Sequence, residues 1–230
     1  MNNICAIFKK QMKDTFKNKT ILIQFVMFPV LTILMNSAVK IDGMPERFFV
    51  NLFAAMYAAM APLTSIAAII AEEKEKNTLR VLRMSNVKPH EYLLGVGSSV
   101  WLACMLGSAV ICAAGNYGLK ASLFFMSVMA AGILASLLIG AAIGTGSRTQ
   151  MTATSVTVPV MMIVSFLPML ATFNETIAQI AEYVYSQQVS CMLSQADSLH
   201  VEGFRLWIIA VNMGIAGILF RAAYKKCGLA

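Results

Sequence analysis

One compact charged segment, residues 72–92, separates two long apolar stretches of this chain. It starts with a run of glutamates and lysines and continues with leucines and arginines. Only 13% of the residues are charged and 58% are apolar, whereas globular chains average about 25% charged residues. Carboxylates, cations and leucines in one short segment suit the recognition of another protein. We therefore predict that residues 72–92 contact a soluble partner.

Residue types that carry catalysis do not occur here at catalytic spacing. His90 and His200 are isolated, and the five cysteines show no metal-ligand spacing. Residues 144–149 are rich in glycine, but they lack the Gly-Lys-Ser/Thr core of a phosphate loop and follow an apolar stretch rather than a strand. We expect no catalytic site, no metal site and no cofactor in this chain.

Six apolar stretches are long enough to cross a bilayer, which takes about 20 residues per helix. They are apolar on all sides, so the alternation expected of membrane β-strands is absent. The sequence predicts an all-α polytopic membrane protein with one transmembrane domain over residues 1–230. The predicted spans are Thr20–Val39, Phe48–Ala71, Leu93–Gly115, Ala121–Thr145, Thr152–Thr172 and Phe204–Tyr224.

The lysines and arginines predict the orientation of these spans. If the N-terminus is cytoplasmic, 14 of the 18 Lys and Arg residues lie inside and four lie outside, as the positive-inside rule requires. Both termini are then cytoplasmic in a multi-pass protein of the cell membrane. The net charge of +7 follows from this topology and from attraction to anionic lipid, so we expect the lipid bilayer and no nucleic acid as a partner.

Two segments outside the spans have amphipathic patterns. Residues 1–19 place Ile4, Phe8, Met12 and Phe16 on one helical face and lysines on the other. Such a helix lies in the membrane interface, although a plain cytosolic tail is the alternative. Residues 173–203 form the largest outer segment, and their pattern predicts a helix that lies at the outer interface or dips into it as a re-entrant element.

The interior of the spans is uncharged. Ion-coupled and proton-coupled transporters usually hold ionisable groups at membrane depth, so uphill transport by this chain would draw its energy from elsewhere. The fourth span also carries small residues at four-residue spacing, which let helices approach closely. We expect packing within the chain, with a dimer face or a substrate groove as alternatives. These small residues are Gly132, Ser136, Gly140 and Gly144.

The charged segment itself predicts two short helices with a break between them. The second span continues as residues 71–76, and Asn77 tolerates the left-handed backbone that ends a helix. Thr78 is placed to cap a new helix that bears Leu79 and Leu82. Pro89 suits the first turn of the third span. The alternative is a solvated loop with ordinary charges.

The run Glu73-Lys74-Glu75-Lys76-Asn77-Thr78-Leu79-Arg80-Val81-Leu82 and the run Glu91-Tyr92-Leu93-Leu94-Gly95 resemble the membrane subunit of type-2 ATP-binding-cassette exporters. The resemblance extends over the whole chain, from the amphipathic N-terminal helix to the six spans. Two positions depart from the family pattern. Asn77 stands where glycine is usual, and Arg80 stands where an acidic residue is common.

The resemblance implies that this chain is a permease subunit of a bacterial exporter. It would pair with a second permease subunit, identical or homologous, and with separate ATPase subunits that bind ATP and Mg. Residues 72–92 would act as the coupling segment, and substrate would pass between the two permeases. The implied coupling residues are Glu72, Glu73, Glu75, Asn77, Thr78, Leu79, Arg80, Leu82 and Arg83.

Two other functional classes stay open from the sequence. One is an ATP-independent secondary transporter or channel, which an inverted repeat would favour. The other is a membrane scaffold subunit without a transport path. The substrate is not encoded in any motif; uncharged, Met-rich spans and the lack of a large outer domain point to an amphipathic drug, antibiotic or peptide.

Overall fold

The computed structural model describes residues 3–38, 47–78, 87, 89–196 and 202–226. Within these ranges the chain is helical and contains no strand, which confirms the predicted all-α fold. The helices are α1 (Asn3–Lys17), α2 (Lys19–Ala38), α3 (Phe48–Glu75), α4 (Pro89–Ala114), α5 (Leu119–Gly146), α6 (Gln150–Phe173), α7 (Glu175–Ala181), α8 (Tyr185–Ser194) and α9 (Gly203–Lys226).

Six of these helices are long and apolar enough to cross a membrane, and they coincide with the six predicted spans. The spans are Ile21–Ala38, Phe48–Glu75, Glu91–Ala114, Leu119–Gly146, Gln150–Phe173 and Gly203–Tyr224.

Helix α3 is the centre of the bundle. It packs against α2, α4, α5, α6 and α8, and its middle consists mostly of buried alanines and β-branched or aromatic residues. Alanines keep the helix narrow, so several neighbours approach its backbone closely. Tyr57 and Leu63 are fully buried on this helix. Because α3 contacts so many helices, a displacement of α3 would be transmitted through the whole bundle.

Four prolines lie inside membrane helices, and we expected them to kink or interrupt their spans. Pro159 and Pro168 nevertheless lie within one continuous helix, α6. The fifth span is therefore not interrupted at these prolines, and a kink there stays a prediction. One turn after the second proline, the Thr172 hydroxyl donates to the Pro168 carbonyl at 3.0 Å.

Helix α1 is present, and the face that it turns towards the bundle lies next to the predicted apolar face. Ile7, Gln11 and Thr15 are buried against the bundle, whereas Phe16 is 58% exposed. This inward face packs on α4, where the Ile7 side chain fits against Gly95. The location of α1 in the membrane interface stays a prediction.

The outer segment holds two helices, α7 and α8. The Asn174 side chain caps α7 and accepts hydrogen bonds from the Thr176 and Ile177 amides at 2.9 and 3.2 Å. Ile180 of α7 is 65% exposed in the single chain, and the location of this segment at the outer interface stays a prediction. The buried helix is α8, which packs against α3, α5, α6 and α9. Its inward residues are Tyr185, Ser186, Gln188, Val189, Met192 and Leu193.

Candidate functional site

The candidate site lies where α3 emerges from the bundle. Helix α3 has 28 residues and is therefore about 42 Å long at 1.5 Å per residue, which exceeds the hydrocarbon thickness of about 30 Å. Its final charged turn, residues 72–76, extends past the apolar stretch. Each glutamate in this turn makes a contact within the chain, and the contacts of Glu73, Lys74 and Glu75 together reach four other helices.

Glu73 connects three helices. Its Oε1 accepts a hydrogen bond from Lys10 Nζ on α1 at 2.8 Å, and its Oε2 accepts one from the Tyr92 hydroxyl at the start of α4. The Glu73 side chain is only 13% exposed, so these bonds are poorly screened by solvent and salt. The carboxylate therefore holds the ends of α1, α3 and α4 together.

Lys74 and Glu75 contact the junction between α5 and α6. Lys74 Nζ donates to the Thr145 carbonyl at 2.7 Å, and Gln150 donates its backbone amide to Glu75 Oε2 at 2.8 Å. The last backbone carbonyls of a helix lack partners, so a cation is favourable at its C-terminal end. The first backbone amides lack partners too, so a carboxylate is favourable at the N-terminal end. The two side chains thus complement the helix dipoles of α5 and α6.

Glu72 and Lys76 form an ion pair one turn apart, with 2.5 Å between Oε1 and Nζ. The hydrogen bond that Lys76 donates to Glu72, together with the negative charge of Glu72, raises the pKa of Lys76. Asn77 follows with φ of 56°, the left-handed conformation that we predicted for this position. Thr78 is already helical, so Asn77 rather than Thr78 precedes the new helical segment.

The structure places Glu73 and Glu75 in contacts that the sequence pattern did not reveal. Their partners are separated from them by up to 75 residues, and no local spacing marks them. A groove of about 470 Å³ lies between α1 and the end of α3 and carries both signs of charge, including Asp14 and Lys17. The remaining predicted coupling residues lie outside the described residues; they are Leu79, Arg80, Leu82 and Arg83.

The small residues of α5 face α3 within the same chain. The Ser136 hydroxyl donates to the Ala58 carbonyl at 2.6 Å and lies 2.7 Å from the Tyr185 hydroxyl. A Cβ atom on Gly144 would lie 2.8 Å from the Ala67 carbonyl oxygen, and one on Gly132 would lie 2.9 Å from Val189. The row therefore joins α5 to α3 and to α8.

Among the described residues, no group of histidine, cysteine, aspartate or glutamate side chains is arranged to hold a metal ion. The site instead offers ion pairs, helix ends and a groove, which are the elements of a docking surface. Such a surface, on a helix that contacts most of a membrane bundle, is suited to transmitting movement between a soluble partner and the membrane.

Comparison with known proteins identifies the family of the chain. No individual curated protein matches the chain. The family model described as ABC-2 family transporter protein matches residues 2–223, which is nearly the whole chain. Six apolar helices of membrane-spanning length accompany that match. The chain therefore belongs to the ABC-2 family of transporter membrane proteins.

Proposed function

We propose that this chain is the permease subunit of an ATP-driven exporter in a bacterial cell membrane. It works with a second permease subunit and with separate ATPase subunits that bind ATP and Mg. Family membership supports the permease role. The observation that carries the coupling proposal is the charged end of α3, where Glu73, Lys74 and Glu75 contact α1, α4 and the α5–α6 junction.

Coupling follows from this geometry in two steps. The ATPase binds the segment that continues from Thr78, and closure of the ATPase pair displaces that segment. Because α3 is continuous from Phe48 to Glu75, the displacement passes along a rigid rod to the helices packed on it. The Lys10–Glu73 ion pair and the hydrogen bond from Tyr92 to Glu73 keep α1 and α4 moving with it.

The pathway is proposed to lie between two permease copies, along the exposed side of α6. Most of α6 is exposed in the single chain, and that side includes the polar residues Thr152, Thr154 and Ser155. Ser155 donates its hydroxyl to the Met151 carbonyl at 3.0 Å. Mixed apolar and hydroxyl surface suits an amphipathic drug, antibiotic or peptide as substrate.

Co-purification tests the proposed function. The chain is expressed with the candidate ATPase of its own cell and isolated through a tag on the chain alone. We expect the ATPase to remain bound, and its hydrolysis rate to change when the chain is present. A secondary transporter, a channel or a scaffold would leave the ATPase rate unchanged, and that result would refute the exporter proposal.

A second test concerns the proposed orientation, with both termini cytoplasmic. In a cysteine-free background, single cysteines at Gly43 and His200 are expected to react with an impermeant thiol reagent in intact cells. Cysteines at Asn86 and Arg148 should react only after permeabilisation, because the positive-inside pattern places them in the cytoplasm. Labelling of Asn86→Cys in intact cells would overturn this topology.

A further inference from the structure

An apolar groove runs between α2 and α4, and one of its ends lies at α1. Its volume is about 270 Å³, and its lining is almost entirely apolar. One wall carries Leu22, Val26 and Ile33 of α2, and the other carries Leu106 and Val110 of α4. Val26, Ile33 and Val110 are each about half exposed in the single chain. The groove is therefore open along its length.

The length and depth of the groove match one leaflet of a bilayer. From Leu22 to Ile33 the α2 wall rises about 16 Å at 1.5 Å per residue, while half of the hydrocarbon core is about 15 Å thick. The walls belong to two of the six membrane-spanning helices, so the groove faces the hydrocarbon region. An acyl chain is the shape that fills it.

Two exposed lysines lie one helical turn from residues that line the groove at its α1 end. Lys19 is exposed and lies three residues before Leu22, so it stands one turn above the groove on the same stripe of α2. Lys13 is exposed one turn before Phe16, which also lines the groove. Cations at this position complement the phosphate of a lipid headgroup.

Thr15 supplies an independent observation at the same end. It lines the groove and is only 2% exposed. Its Oγ1 has no hydrogen-bond partner in the part of the chain that the structure describes. A buried hydroxyl without a partner costs free energy, and a phosphate or ester oxygen entering from the groove would satisfy it.

We propose that this groove binds an anionic phospholipid from the leaflet next to α1. The acyl chain lies between α2 and α4, and the headgroup phosphate contacts Lys19, Lys13 and the Thr15 hydroxyl. This lipid site is independent of the proposed export activity. The bound lipid would stabilise the packing of α1 on the bundle. The Lys10–Glu73 ion pair stabilises the same packing through α3.

The test uses the full chain in lipid nanodiscs of phosphatidylcholine that contain a minor fraction of photoreactive phosphatidylglycerol. A parallel sample contains photoreactive phosphatidylcholine, and cross-linked peptides are identified by mass spectrometry. We expect phosphatidylglycerol to label the α2 and α4 walls preferentially.

Lys19→Gln should reduce that labelling about five-fold, because each cation near the surface contributes about 1 kcal/mol to anionic lipid binding. Ala103→Phe, which fills the groove, should reduce labelling by both lipids.

Matched variants elsewhere control for charge and bulk. Lys120→Gln removes an exposed cation at the start of α5, and Ala210→Phe adds a ring on the exposed side of α9; both should leave the labelling unchanged. Circular dichroism and gel filtration check folding, and Val110→Phe replaces Ala103→Phe if the latter does not fold.

Three outcomes would overturn the lipid site. In the first, both lipids label the walls equally and Lys19→Gln has no effect. In the second, soluble glycerol phosphate displaces the lipid, which would show that the cations bind a free phosphate without the acyl chain. In the third, a photoreactive residue placed at Leu106 cross-links to a second copy of the chain, which would show that protein covers the groove.

Discussion

Replacement of Leu79 and Leu82 together by Asp is expected to detach the ATPase or to uncouple it from transport. The sequence predicts a short helix that bears both leucines outside the apolar spans, where leucine side chains gain stability only if a partner buries them. Burial of one leucine contributes about 1.5–3 kcal/mol, so loss of both would weaken docking by a factor of about 10²–10⁴. Affinity capture of the ATPase and the export rate measure the effect, while membrane insertion should be unchanged.

Ser85 and Asn86 provide the matched control for that experiment. Their double replacement by Asp adds the same charge to the same segment without removing apolar surface, so docking should persist. Glu73→Gln should act more gently than the leucine change, since it weakens contacts to Lys10 and Tyr92 inside the chain. Normal ATPase binding and normal export by the double leucine variant would show that residues 79–82 are not the docking helix.

The sequence was sufficient to predict the spans, because hydropathy over about 20 residues responds directly to the bilayer. It also predicted the left-handed turn at Asn77, since few residues other than asparagine and glycine tolerate that backbone. Both features depend on local chemistry alone. For the same reason the charged segment, residues 72–92, is visible in the sequence as a break between apolar stretches.

The partners of the glutamates could not be predicted from the sequence. Lys10 lies 63 residues from Glu73, and Gln150 lies 75 residues from Glu75. Their proximity depends on how α1 and α6 pack against α3, and packing in a membrane follows from shape rather than from hydropathy. The sequence identified the charged turn as a contact surface but did not reveal that it also fixes the neighbouring helix ends.

The outer segment shows a second limit of structure prediction from hydropathy patterns. Helix α8 buries Gln188 and Ser186 beside Tyr185, so a purely apolar criterion selects the wrong helix. The Gln188 amide donates to the Glu182 carbonyl at 2.5 Å, and Arg205 donates to the Gln188 side-chain oxygen at 3.3 Å. Once these bonds are made, the polar side chain is buried at little cost. Satisfied polar groups of this kind leave no signature in hydropathy.

Helix packing in the bundle depends most strictly on Gly140, and Gly140→Ala is expected to destabilise the protein by about 1–3 kcal/mol. A Cβ atom at this position would collide with the Leu63 carbonyl oxygen and would lie 2.6 Å from Ile66 Cγ2. Because the carbonyl belongs to the backbone of α3, no side-chain rotation relieves the collision. The helices α3 and α5 would have to separate, which would also disturb the hydrogen bond from Ser136 to the Ala58 carbonyl.

Gly97→Ala tests this argument with the same chemical change in open space. A Cβ atom on Gly97 meets nothing within 4 Å, and alanine is favoured over glycine inside a helix by about 1 kcal/mol. The two variants should therefore change stability in opposite directions when thermal unfolding is followed in detergent. Equal unfolding temperatures for Gly140→Ala and the unmodified protein would mean that α5 does not approach the α3 backbone as closely as the structure shows.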